Sequence, residues 1–150
     1  MTKTSSVIQG SAVAICGRAL LILGPPGAGK TSLALALIDR GATLIGDDGI
    51  TLARTGNRVI AAPPPNIAGL LEVRNVGIIK LPTTSAPVAL ALQLSRDAPR
   101  HVEAAKTLML EGAGVPSLAF FPGDAIQALR AEWALQVHGL AAICQVMDPS

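Results

Sequence analysis

The chain's most specific chemical signal is the octet Gly24-Pro25-Pro26-Gly27-Ala28-Gly29-Lys30-Thr31, which satisfies G-x-x-x-x-G-K-[ST] at every fixed position. Glycines at these spacings let backbone N–H groups turn inward, so that a polyphosphate sits in a nest of donors at the positive end of the next helix. A lysine there reaches the β- and γ-phosphates, and the following hydroxyl coordinates Mg²⁺. All eight residues are therefore candidates for binding ATP, with Lys30 also a catalytic candidate and Thr31 a metal ligand.

Transfer also requires carboxylates. Asp47 and Asp48 follow the apolar run Thr43-Leu44-Ile45-Gly46, where the chain returns toward the loop. Neighbouring side chains of an extended chain point to opposite faces, so the pair is expected to divide its work: one acts as a base toward the acceptor and the other orients metal-bound water or backbone. Glu72 and Arg74 share a face if their stretch is extended, an acid beside a base; Arg74 is a catalytic candidate, and Glu72, embedded in the apolar Leu70-Leu71-Glu72-Val73, is a candidate second metal ligand. His101 and His138 lack ligand-like spacing and are read as surface residues. Cys16 and Cys144 are read as small buried hydrophobes.

These residues need elements to position them. The apolar run Ala19-Leu20-Leu21-Ile22-Leu23 predicts a strand entering the loop, and Cys16-Gly17-Arg18 predicts a tight turn before it, so an early hairpin is expected. A helix follows from Lys30, with Leu33, Leu37 and Ile38 on one side and Gly41 as its stop. Residues 58–62, 76–79 and 88–94 read as strands, the last covered on both faces. Residues 67–71 read as one helical turn, and residues 72–74 as extended. Residues 107–110 and 115–121 form a second hairpin around Glu111-Gly112-Ala113-Gly114. Asp124 with Gln127 resembles a capping box, and Ile126, Leu129, Trp133, Val137 and Leu140 then recur at helical spacing, with Trp133 as the packing anchor.

Half of the 150 residues are apolar, but only Phe120, Phe121 and Trp133 are aromatic, which leaves little for base stacking. Twelve basic residues are scattered against ten acidic ones, a net charge of +2. That pattern argues against a nucleic-acid surface. No stretch reaches the roughly 18 consecutive apolar residues of a membrane span. Residues 1–150 are read as one cytoplasmic domain with no membrane partner.

Taken together, the octet, Gly46-Asp47-Asp48 and Leu71-Glu72-Val73-Arg74-Asn75-Val76-Gly77-Ile78-Ile79 resemble the catalytic domain of HPr serine kinase/phosphorylase, in the short form without an N-terminal domain. The third segment is similar to the family signature L-E-I-R-G-L-G-I-I. The resemblance implies an α/β P-loop domain of the phosphoenolpyruvate-carboxykinase-like type, with a mixed, partly barrel-like β-sheet and helices packed on one side. It implies ATP- and Mg²⁺-dependent phosphorylation of a serine on an HPr-like phosphocarrier protein, phosphorolysis of that phosphoserine, and a ring-like homo-oligomer. Carried over by position, Lys30 cradles the phosphates, Thr31 and Glu72 hold Mg²⁺, and Asp48 is the acid/base. Where the family has a histidine before the first hairpin strand, this chain has Gln9-Gly10. Where it has an arginine in a mobile loop, this chain has Ala104, with Arg96, Arg100 or Lys106 as basic substitutes. Those two positions keep open a non-catalytic nucleotide-sensing module, and the octet alone would also suit a kinase of a small metabolite.

Overall fold

Strands dominate because the apolar residues alternate or run continuously over four to nine positions, bounded by Gly, Pro and Asn turns. The computed structural model describes residues 5–66 and 68–141. In chain order the elements are β1 (Ser5–Ile8), β2 (Ser11–Ile15), β3 (Arg18–Leu23), α1 (Lys30–Asp39), β4 (Thr43–Gly46), β5 (Ile50–Thr55), β6 (Arg58–Ala62), β7 (Leu70–Val73), β8 (Gly77–Lys80), β9 (Ala86–Leu94), β10 (Lys106–Leu110), β11 (Ala113–Phe120) and α2 (Gln127–His138).

Nine of the strands form one mixed sheet, ordered β1-β5-β6-β9-β3-β2-β4, with the β10–β11 hairpin joined through β11 to β9. The nine-residue β9 is its axis. One edge pairs in parallel with β3, while the other pairs antiparallel with β6 at Ala86 and Pro87 and parallel with β11 from Ala91 to Leu94. Splitting that edge between two partners curls the sheet into a half-barrel.

A bulge sets which residues face which side. Ala19 pairs with Val88 but Leu20 pairs with Leu90, so Ala89 is the extra residue and the side-chain alternation resets there. Beyond it, Leu20, Ile22, Leu90 and Leu92 face the helices, joining Leu33 and Leu37 of α1 and Ala131 and Leu135 of α2. Ala19, Leu21, Val88 and Ala91 face the concave side, with Ile45, Leu52 and Val59. Complete burial of each large aliphatic side chain is worth roughly 1.5–3 kcal/mol. Both helices pack on the one sheet face, as the expected fold class requires, and the Arg40–Glu132 ion pair at 2.9 Å links them.

The early hairpin expected around Cys16-Gly17-Arg18 forms as β2–β3, and β1 pairs with β5. Several other sequence expectations are corrected. The helical turn expected over residues 67–71 is absent among the described residues of that stretch: Ala68 and Gly69 make a turn and β7 starts at Leu70, while Ile67 lies outside the described residues. Glu72 and Arg74 do not share an extended face, because the chain leaves the strand at Val73 and turns through a left-handed Asn75 into β8. Cys16 is exposed in the β2–β3 turn rather than buried, and Cys144 lies outside the described residues. No capping box forms at α2: Ile126 is its N-cap, the Asp124 carboxylate accepts from Ile126 N–H at 3.1 Å, and Gln127 Oε1 accepts from Gly123 N–H at 2.8 Å. The helix also faces the other way. Trp133 is 58% exposed and Val137, Ile126 and Leu129 are exposed with it, while Ala128, Ala131 and Leu135 are buried. Small alanines let α2 approach the sheet closely, and this decides its orientation over the larger apolar stripe.

Candidate functional site

β3, β9 and β11 run parallel, and β4 shares their direction because β3 and β4 are both antiparallel to β2. Their carboxyl ends therefore lie along one rim, where ligands of open α/β sheets bind. From β3 comes the glycine-rich loop, from β4 Asp47 and Asp48, from β9 Ser95 and Arg96, and from β11 Phe121 to Gly123. β2 starts at the same rim with Ser11, which pairs with Ile22.

The loop is drawn shut by its own groups. Ala28 N–H donates to Pro25 O at 3.1 Å, and Lys30 Nζ donates to Gly24 O at 2.8 Å and Pro25 O at 3.0 Å. Gly29 is the N-cap of α1 in the left-handed region, φ 105°. The first-turn N–H groups consequently open toward the rim at the positive end of the helix.

Asp47 is 9% exposed and is held by two hydroxyls, because Ser11 Oγ and Thr31 Oγ1 both donate to its Oδ1, at 2.8 and 2.9 Å. Asp48, one residue on, adopts φ 66° and is exposed. Aspartate tolerates this conformation better than most residues. The two adjacent aspartates thus differ in surroundings, Asp47 buried and tied to the loop and Asp48 exposed. The turn between β4 and β5 is so tight that a Cβ on Gly46 would lie 2.5 Å from Gly49 O.

Lys30, Thr31, Asp47, Asp48, Glu72 and Arg74 line one cavity of about 1070 Å³. Glu72 and Arg74 arrive on the β7–β8 hairpin, a separate two-stranded sheet anchored by the buried Leu71 and facing the loop from across the cavity. The donors there are all oxygens: the Thr31 hydroxyl, the Asp47 carboxylate beside it and Glu72 opposite. This set fits Mg²⁺, which is held by one or two carboxylates together with substrate phosphates and water. Among the described residues, no three His, Cys, Asp or Glu side chains stand close enough to form a protein-only cage.

Four residues at the site escaped the sequence reading of motifs. Ser11, 1% exposed, was signalled only by a hydroxyl among strand apolars; Asn75 entered only as part of the segment 71–79, and Gln127 only as a capping residue, neither as a site residue. Arg96, named only as one of three basic substitutes, lines the cavity; Arg100 borders a neighbouring groove beside α2, and neither cavity includes Lys106. Gln9 and Ala104 are exposed and line none of these cavities.

A curled mixed sheet with two helices on one face, carrying a glycine-rich phosphate-type loop and a buried aspartate at the carboxyl rim, defines an α/β domain of the P-loop kind. The family model described as HPr Serine kinase C-terminal domain matches residues 1–86, and the chain belongs to that family. Curated relatives include the HPr kinase/phosphorylase of Clostridium tetani, 38% identical over 76 residues, and that of Clostridium acetobutylicum, 40% identical over 75 residues. These alignments cover 51% and 50% of this chain but 25% of each relative's length. The fold matches a structure titled Hpr(Ser) kinase/phosphatase from Coxiella burnetii, with TM-score 0.75 and 27% identity over 87% of this chain and 89% of that one.

Proposed function

We propose that this domain is an ATP- and Mg²⁺-dependent serine kinase acting on an HPr-like phosphocarrier protein, and that it also runs phosphorolysis of the phosphoserine. The observation that carries the reading is the split aspartate pair: buried Asp47 tied to Thr31 of the loop, and exposed Asp48 beside it in the cavity shared with Lys30 and Glu72. Family membership and the names of the relatives support the choice of reaction and acceptor.

In this mechanism the loop N–H groups and Lys30 hold the β- and γ-phosphates of ATP. Thr31, Asp47 and Glu72 are the residues that would hold Mg²⁺, which when bound would neutralise charge on the phosphate oxygens. Asp48 accepts the proton of the acceptor serine as its Oγ bonds to the γ-phosphorus and the bond to the β,γ-bridging oxygen breaks, releasing ADP. For phosphorolysis Asp48 returns the proton to serine Oγ while inorganic phosphate takes the phosphoryl group, giving pyrophosphate. Arg74, at the turn of the hairpin, offers positive charge on the acceptor side of the cavity.

The test is transfer of labelled γ-phosphate from Mg-ATP to HPr-type phosphocarriers, with Asp48→Asn in parallel. Serine labelling by the wild type alone is expected. Nucleotide binding without transfer by either protein would favour a sensing module, and labelling of small acceptors with none of phosphocarriers would favour a metabolite kinase.

A further inference from the structure

Gln127, which has no part in the transfer steps above, is the first residue of α2 and lines the phosphate cavity with Lys30, Thr31 and Asp48. We propose that it is a phosphate-binding residue, whose carboxamide N–H₂ group donates a hydrogen bond to an oxygen of the bound polyphosphate. This deepens the proposed function and rests on it.

The side chain is half-buried and fixed at one end, where Oε1 accepts from Gly123 N–H at 2.8 Å. A backbone N–H can only donate, so the atom facing it is the oxygen and the N–H₂ group is the free end. That nitrogen has no hydrogen-bond partner among the described residues, and it is not sealed from solvent. The backbone around it is constrained as well. Pro122 is buried, and a Cβ on Gly29 of the glycine-rich loop would lie 3.8 Å from Pro122 Cβ, so the β11–α2 connection is seated on that loop. Arg130 Nη1 donates to Phe121 O at 2.9 Å and pairs with Asp124 at 3.1 Å, while Gln127 N–H donates to Asp124 O at 3.2 Å. A donor held this way gives up little freedom when a ligand arrives. The other side-chain N–H donors of the cavity are placed differently: Lys30 is turned onto Gly24 O and Pro25 O, and Arg74, Asn75 and Arg96 make no side-chain hydrogen bond among the described residues.

The amide itself points the same way. For closing the Gly123 turn alone, glutamate would serve better, since a carboxylate makes the stronger, charge-assisted bond to an N–H and is favoured in the first turn of a helix. That turn of α2 holds no acidic residue. What a carboxamide offers and a carboxylate lacks is a pair of donors, which a phosphate oxygen can accept. Thr31 does not supply them, because its proton is committed to Asp47 Oδ1.

The experiment is calorimetric titration of the full chain with Mg-ATP and with Mg-tripolyphosphate, alongside thermal melting, using wild type, Gln127→Glu and Gln127→Met. Gln127→Glu keeps an acceptor for Gly123 N–H and removes both donors. It is expected to melt at or above wild type while binding both ligands at least about tenfold more weakly, as for loss of a hydrogen bond to a charged group. Gln127→Met, uncharged and of similar length, is expected to weaken both ligands by about tenfold, which separates a lost donor from like-charge repulsion. A turn-closing role alone predicts the reverse for Gln127→Glu, raised stability with unchanged affinity. Binding by either folded variant within about twofold of wild type overturns the inference, as does a loss for ATP that tripolyphosphate does not share. If one variant fails to fold, the other decides. Absence of wild-type binding to both ligands overturns the proposed function as well, whereas normal wild-type binding with unaffected variants overturns the role of Gln127 alone.

Discussion

Replacing Ser11 by alanine isolates one hydrogen bond at the centre of the site. The hydroxyl is 1% exposed and donates at 2.8 Å to a carboxylate that is itself 9% exposed, with the Thr31 donor at 2.9 Å on the same oxygen. A hydrogen bond to a charged group contributes roughly 1.5–3 kcal/mol, and the substitution deletes one atom without adding bulk. The expected loss is therefore about 2 kcal/mol in urea unfolding, with the slope of the transition unchanged. Combined with Asp47→Asn, the double-mutant cycle should give a coupling of about 1–2 kcal/mol, because the two groups touch. Function should respond through the metal. If Asp47 loses one of its two donors, the Thr31 hydroxyl is less firmly placed, and Mg²⁺ dependence of turnover should shift about tenfold toward higher concentration, as expected for a group one shell out from the ion. Metal-free nucleotide binding should not change. A stability loss below 0.5 kcal/mol with zero coupling would refute the reasoning, since it would mean that Ser11 contributes nothing to holding Asp47.

Three other perturbations follow from the same geometry. Asp48→Asn should keep nucleotide affinity within about twofold but lower transfer by roughly 10²–10⁴, the usual worth of a general base, measured under single-turnover conditions; asparagine tolerates the left-handed conformation at φ 66°, so melting should be unaffected. Gly46→Ala should cost about 2–3 kcal/mol in chemical denaturation and reduce transfer at least about tenfold, because the added methyl meets Gly49 O at 2.5 Å and must displace the turn that carries both aspartates. Trp133→Ser should change stability by about 0.5 kcal/mol or less, whereas Ala131→Leu on the buried face should cost about 1–3 kcal/mol, so a larger effect at Trp133 would overturn the orientation of α2.

The legible parts of the chain were those where local chemistry and tertiary position agree. The octet at residues 24–31 needs its glycines for backbone reasons that hold in any context, and the helix after it stops near Gly41 as expected, with Ala42 N–H donating to Leu37 O at 3.1 Å. β4, β6 and β9 fell where runs of aliphatic residues placed them. The illegible parts were decided by partners distant in sequence. The 3.6-residue period of α2 is satisfied equally by its alanines and by Trp133, Val137 and Leu129, and only the closeness of β9 and α1 selects the smaller face. At Glu72 an extended reading ran one residue too far, because the left-handed Asn75 before Gly77 closes a hairpin that the apolar spacing does not announce. Ser11 lies 36 positions from the carboxylate it holds, so no local motif could connect them.

Commitment of the Thr31 proton also explains why the two adjacent aspartates are not interchangeable. A hydroxyl has one hydrogen, and Thr31 spends it on Asp47 Oδ1; what it presents to the cavity is lone pairs, suited to a cation and unable to donate to a phosphate oxygen. Ser11 makes the same commitment from the opposite strand, so Oδ1 of Asp47 is occupied from two sides and the carboxylate cannot swing toward an acceptor. This is why the proposed mechanism gives the proton-accepting role to the neighbour, Asp48, which is exposed. Exchanging the residues' surroundings, rather than their identities, would be needed to exchange their roles, because both are aspartates and only the tight turn after Gly46 sends one inward and the next outward.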